Sequence, residues 1–298
     1  MSEHALRAGD ARIVDRRYSH YDGARLGPGH AVRSVYVQTL RRVLGLHRPA
    51  RWKVLPIMSA VMAYLPAVAF IGIVALLPRR TETLVPRPVA YYGFVSAAIA
   101  LFVLFVAPEA LCPDRRSRVL SLYLASPLTR TTYLAAKIAA VTTVLLLVTL
   151  GPPLLFQLGL VLESAGPHGV TGFARELWRI GASGVVLAAV YAAASAAFAS
   201  LTDRRAVASG ASLLVLIGSG AVTGILHFAL GAPEWVLLFG FNPLSGVSAP
   251  FELVQRIHGR PGFAPGLPPA ALAAACAAAT AAGLLVCWAR YRSIQVTR

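Results

Sequence analysis

Residues 109–137 hold the densest set of side chains able to do chemistry: Glu109, Cys112, Asp114, Arg115, Arg116, Arg118, Tyr123, Arg130 and Lys137, between two long apolar runs. A membrane enzyme acting on lipid-linked substrates would need carboxylates held at a fixed separation. Glu109, Asp114 and Glu163 qualify for that role by location only. Nucleotide chemistry would need a G-x-x-x-x-G-K-[ST] loop to cradle phosphates, and the chain has none, so it binds no ATP in that manner. The histidines are scattered at positions 4, 20, 30, 47, 168, 227 and 258, without HExxH or a Cys/His cluster, and G-x-S-x-G is absent. Neither a catalytic, a cofactor-binding nor a metal-binding constellation is expected on this chain. What the stretch does supply is charge: Arg115, Arg116, Arg118, Arg130 and Lys137 would each cost roughly 2.5–3.5 kcal/mol at a bilayer centre. The loop therefore belongs at a membrane surface, where it is suited to docking.

The elements that present these residues follow from local signals. Pro113 and Asp114 predict a helix start, as breaker and N-cap, and Ser126-Pro127 predicts its end, leaving about eleven helical residues. Asp114, Ser117, Arg118, Ser121 and Ala125 share one stripe of that helix, while Val119, Leu120, Tyr123 and Leu124 lie largely away from it. Asp-Arg-Arg-Ser-Arg-Val-Leu-Ser-Leu-Tyr-Leu-Ala-Ser-Pro-Leu-Thr-Arg, followed by Tyr-Leu-Ala-Ala-Lys, resembles the first cytoplasmic loop of type-2 ABC exporter permeases. The resemblance implies that this loop is a coupling helix seated in a cleft of a separate ATPase subunit. It implies coupling roles for Asp114, Arg115, Arg116, Arg118, Leu120, Tyr123, Leu124, Pro127 and Arg130. ATP and Mg would be held by that partner. Over the rest of the chain the resemblance is one of topology and hydropathy.

Composition agrees with a membrane protein. Of 298 residues, 57 % are hydrophobic and 13 % charged, and the mean hydropathy is +0.65, values that place several spans in the chain. The formal charge of +16 flanks apolar runs and is not interleaved with aromatics, so anionic lipids, not nucleic acid, are the expected partner. Cys112, Cys276 and Cys287 offer no extracellular disulfide framework and are expected as free thiols.

Residues 1–30 read as a cytoplasmic tail, with Arg7, Arg12, Arg16, Arg17 and Arg25 and no apolar core. In 31–52 a helix and linker follow. Val32, Val35, Tyr36, Leu40, Val43 and Leu44 share one face, and Ser34, Gln38, Arg41 and Arg42 the other. This is the pattern of a helix lying in the membrane interface, and in the resemblance it corresponds to a connecting helix; a plain juxtamembrane anchor has the same pattern. The six-span domain covers 53–291, with the coupling loop at 108–137, and 292–298 form a cytoplasmic C-terminus.

Six apolar runs, 54–77, 89–107, 138–162, 180–201, 206–230 and 268–289, are each long enough to cross the hydrocarbon, and none contains Asp, Glu, Lys or Arg. The absence of intramembrane carboxylates speaks against an ion-coupled transporter. With both termini inside, 21 of the Lys and Arg residues fall on the cytoplasmic side and 7 outside, Arg79 and Arg80 being discordant. Gly151-Pro152-Pro153 predicts a kink in the third span. Gly220 and Gly224 form a GxxxG step in the fifth, suited to internal packing or to a permease–permease interface. The outer loop 231–267 is unusually apolar. Residues 235–241, a turn at Asn242-Pro243 and the apolar stretch 244–254 predict a re-entrant hairpin, with a surface amphipathic segment as the alternative.

The expected fold is therefore all-α: six transmembrane helices, an N-terminal interfacial helix, a cytoplasmic coupling helix and an outer re-entrant hairpin. The expected function is that of a plasma-membrane exporter permease working as a dimer with an ATPase. Its cargo would be a small molecule, lipid or glycan. A non-transporting anchor or sensor subunit would carry the same docking loop.

Overall fold

The computed structural model describes residues 23, 26–46, 49–50, 53–76, 86–117, 119–167 and 169–293. The N-terminal tail through Asp22, Arg79, Arg80, Arg118, the side chains of Ser121 and Leu124 and the C-terminal residues 294–298 lie outside the described set. The described residues are 79 % helix, and no strand occurs among them. Six helices are long and apolar enough to cross a membrane: Val54–Leu76, Pro88–Arg116, Arg130–Leu162, Gly169–Leu201, Arg205–Ala229 and Pro269–Ser293. Four of them extend well past the apolar runs. Hydropathy stops at the first charge, whereas α-helical backbone includes residues 130–137, 175–179 and 290–293, and the second span reaches Arg116 through π and 3-10 turns.

The second and fourth spans form the centre, and the first, fifth and sixth lie outside them. Small side chains set the closest approach. At Gly283 a Cβ would stand 2.8 Å from the Ala193 carbonyl oxygen, so the sixth span packs on the alanine run of the fourth nearly backbone to backbone. Two buried tyrosines of the second span satisfy their hydroxyls on neighbouring backbones. Tyr91 donates to the Ala63 carbonyl at 2.6 Å and Tyr92 to that of Ile180 at 3.1 Å.

The third span is interrupted at Leu150, between helices Arg130–Thr149 and Gly151–Leu162. Pro152 and Pro153 lack the N–H groups that would continue the ladder. Around the break the third span is tied to its neighbours: Tyr64 donates to the Leu147 carbonyl at 2.8 Å, and the Thr149 hydroxyl donates to the Gly184 carbonyl at 3.0 Å. The second and fifth spans contain five-residue π turns, at Phe102–Val106, Leu213–Ile217 and Ile225–Ala229.

The N-terminal helix runs from Pro28 to Val43 and lies along the third span. Its apolar face is the one read from the sequence, with Val35 and Val43 buried and Val32, Tyr36, Leu40 and Leu44 packed against the core. Tyr36 shares a hydrogen bond with Thr143 at 3.0 Å. Between the fifth and sixth spans, a 3-10 helix Glu234–Phe239 and a helix Ala249–Ile257 fold back on the fourth, fifth and sixth spans.

Candidate functional site

The loop joining the second and third spans departs from the single helix expected between Asp114 and Ala125. It consists of two short helices, Cys112–Arg116 and Leu120–Leu124, separated at 117–119. Pro113 occupies the first turn of the former, where its missing N–H costs nothing, and Leu111, not Asp114, stands at the N-cap. Asp114 is unavailable as a cap because its carboxylate is used elsewhere.

That carboxylate, on a residue 3 % exposed, accepts from three side chains on two other elements. Lys137 Nζ donates to Oδ2 at 2.5 Å, Tyr133 Oη donates to Oδ2 at 2.7 Å, and Arg42 donates to Oδ1. Lys137 also donates to the Ala110 carbonyl at 2.9 Å. Tyr133 and Lys137 are four residues apart, so one helix face delivers both to the same acceptor. Arg42 comes from the N-terminal helix. Burial alone would lower its pKa, but the adjacent Asp114 carboxylate more than compensates and raises it above the ordinary value. The cluster thus fastens the N-terminal helix, the end of the second span and the start of the third. Breaking such a buried pair by removing one partner costs about 3–5 kcal/mol.

The remaining site residues divide by direction. Arg116, Leu122, Ala125 and Pro127 are exposed, Leu122 at 73 %. Leu120 and Tyr123 are partly buried against the protein's own core, and the Tyr123 ring lies 5.2 Å from that of Tyr133. Arg115 has Nη1 buried without a hydrogen-bond partner. Arg130 donates to the Arg292 carbonyl at 2.8 Å, joining the start of the third span to the end of the sixth. Thr129 caps the third-span helix, its hydroxyl accepting from Thr132 N at 3.2 Å. On the N-terminal helix, Arg41 is exposed whereas Arg42 is drawn inward to Asp114.

Glu109 pairs with Arg205, the first residue of the fifth-span helix. The two, with Arg42, line one end of a cavity of about 530 Å³ whose other walls include Leu55, Leu104, Phe105 and Leu213. Glu163 is exposed beyond the last turn of the third span, at the opposite end of the bundle from Asp114. The three carboxylates therefore share no site. Among the described residues, no group of three or more His, Cys, Asp or Glu side chains is placed to hold a metal ion. Cys112, Cys276 and Cys287 are free and buried.

Gly220 and Gly224 have different surroundings. A Cβ at Gly220 would overlap Asn242, so this glycine admits the turn of the chain's own hairpin, whereas Gly224 faces open space. At that turn Asn242 Oδ1 accepts from Leu244 N at 2.9 Å, and Phe241 N donates to Ser219 Oγ at 3.1 Å. Pro243 follows in the turn.

Sequence reasoning missed the grouping of Tyr133, Lys137 and Arg42. One signal was available: a lysine seven residues inside a helix that continues as a span needs a buried acceptor, and Asp114 is the nearest acid in the chain.

A family model described as "ABC-2 family transporter protein" matches residues 81–288, more than two thirds of the chain. No curated protein matches it. The chain belongs to the ABC-2 transporter family and is a multi-pass permease subunit of an ABC transporter.

Proposed function

We propose that this chain is the membrane half of an ATP-driven exporter, in which two permease copies form the translocation pathway and a separate ATPase binds ATP and Mg. Both termini and the 108–137 loop face the cytoplasm of a cell-membrane protein, in keeping with the excess of Lys and Arg at that end. The N-terminal helix lies at the inner interface, with Arg41 toward phosphates. The 234–257 hairpin is re-entrant from outside. Gly224 and the sparsely buried fifth span face the second copy or lipid. The cargo is a small molecule, lipid or glycan.

One observation carries the reading. The exposed residues Arg116, Leu122, Ala125 and Pro127 belong to the loop that Asp114 bonds to the N-terminal helix and the third span and that Tyr123 packs against Tyr133. A push on that surface by an ATPase would pass into three elements through buried ionic contacts and not through a pliable loop. Exposure favours Leu122, not Leu120 or Tyr123, as the apolar residue offered to a partner. Leu122 is free to dock, while Leu120 and Tyr123 mainly hold the loop to its own core.

The test is Leu122→Asp in the full chain, co-expressed with its ATPase. Loss of a buried leucine contact removes about 1.5–3 kcal/mol, and placing a charge in the cleft adds to that. ATPase retention and substrate-dependent hydrolysis should fall at least tenfold, with an unchanged thermal midpoint for the permease alone. Normal association of the Leu122→Asp permease would remove the loop from the coupling role.

A further inference from the structure

At the end of the bundle remote from Asp114, a cavity of about 480 Å³ is lined by Arg87, Glu176, Arg179, His258 and Arg260. Three separate elements supply them. Arg87 is the N-cap of the second-span helix, Glu176 and Arg179 lie in the early turns of the fourth-span helix, and His258 and Arg260 follow helix Ala249–Ile257. We propose that this cavity binds the headgroup of an anionic glycerophospholipid.

Charge is the first argument. Three guanidinium groups face one carboxylate, and that carboxylate is only loosely engaged: Arg179 Nη1 stands 3.4 Å from Glu176 Oε2 and His258 Nε2 stands 3.5 Å from Oε1. Arg87 and Arg260 have no acidic partner among the described residues. Guanidinium forks that outnumber the acids around one cavity are matched to phosphate oxygens.

The second argument is an unfilled valence. The His258 side chain is 3 % exposed, and its Nδ1 bonds the Val254 carbonyl at 3.0 Å. That bond requires the proton on Nδ1, so in the neutral ring, which burial favours, Nε2 carries a lone pair, has no hydrogen-bond partner, and sits beside a second acceptor, Glu176. The site therefore asks for an anion and, next to it, a hydroxyl donor. A phosphoglycerol headgroup presents both, and phosphocholine presents only the phosphate.

Depth is the third. Trp178, next to Arg179 on the fourth-span helix, is 73 % exposed, and an outward indole beside a charged residue at the end of a span marks the membrane–water interface. Arg87 immediately precedes the apolar second span, at the same level. A lipid phosphate is resident at that height. The assignment does not depend on which side of the membrane this end occupies, and its failure would leave the ATPase reading untouched.

The experiment follows thermal unfolding of the delipidated full chain with added phosphatidylglycerol, phosphatidylcholine or inorganic phosphate. Phosphatidylglycerol should raise the midpoint by about 2–4 °C and the other two by much less. Arg179→Gln with Arg260→Gln should abolish that rise. Arg87→Gln, an exposed change, gives an independent reading should the double variant fold poorly. Equal stabilisation by phosphatidylcholine, or by inorganic phosphate, would overturn the proposal, as would an undiminished phosphatidylglycerol effect in the Arg87 variant and in the folded double variant.

Discussion

The two ends of the bundle use similar side chains to opposite ends. Around Asp114, one carboxylate is shared by Lys137, Arg42 and the Tyr133 hydroxyl, and the contacts are close and buried. Around His258, three arginines and one acid line an open cavity, and the acid is approached only loosely, by Arg179 at 3.4 Å and His258 at 3.5 Å. A charged group enclosed with its partners fixes backbone elements to one another. The same groups left short of partners retain free energy that a ligand can recover. The first cluster is suited to transmitting force and the second to recognition.

The largest test of this contrast is Lys137→Met. It leaves Asp114 buried with only part of its compensation, and it should lower stability by about 3–5 kcal/mol in thermal unfolding of the detergent-solubilised chain. Adding Asp114→Asn should restore much of that loss, since Arg42 is partly exposed and can turn to water. A double variant no more stable than the single one would show that the cluster is not held by charge.

A smaller effect sharpens the position of the other end. Phe239 and Phe263 are 62 % and 55 % exposed on the protein surface, so protein packing shields neither. If the 234–257 segment dips into the membrane, Phe239→Cys in a cysteine-free background should label slowly with an impermeant maleimide and Phe263→Cys quickly. Equal rates would make the segment a water-facing loop. Gly262 is unsuitable as the reference position, since its φ of +65° and its closeness to Glu252 penalise any side chain there.

The smallest expected effect is on pH. Burial holds the His258 pKa below its ordinary 6.5, with Glu176 opposing and Arg179 and Arg260 adding to the decrease. The neutral ring is thus favoured in the folded state. Its contribution to stability is complete above about 6.5 and is lost as pH falls through the depressed folded value. Thermal midpoints measured from pH 7.5 to 5 should fall slightly more for the native chain than for His258→Gln.

The six spans were legible because a helix that crosses hydrocarbon must be apolar throughout its lipid-facing length, and no other segment imitates that. Their ends were not, because Asp114 and Lys137 are compensated by residues distant in sequence and need not interrupt a helix. The division of the loop into Cys112–Arg116 and Leu120–Leu124 has no capping signal in the sequence to announce it. The Asn242-Pro243 turn was readable from two residues. Its seat on Gly220, which competes with reading the GxxxG step as an interface, required the fold.

The interruption at Leu150 bears on how this sequence can vary. The Tyr64 hydroxyl occupies the space a methyl group at Gly151 would fill, and there it donates to the Leu147 carbonyl. Gly151 and Tyr64 are thus one choice made at two loci. A larger residue at 151 is compatible with the fold only alongside a shorter residue at 64, so Gly151→Ala is a substitution whose second-site suppressors should arise on the first span.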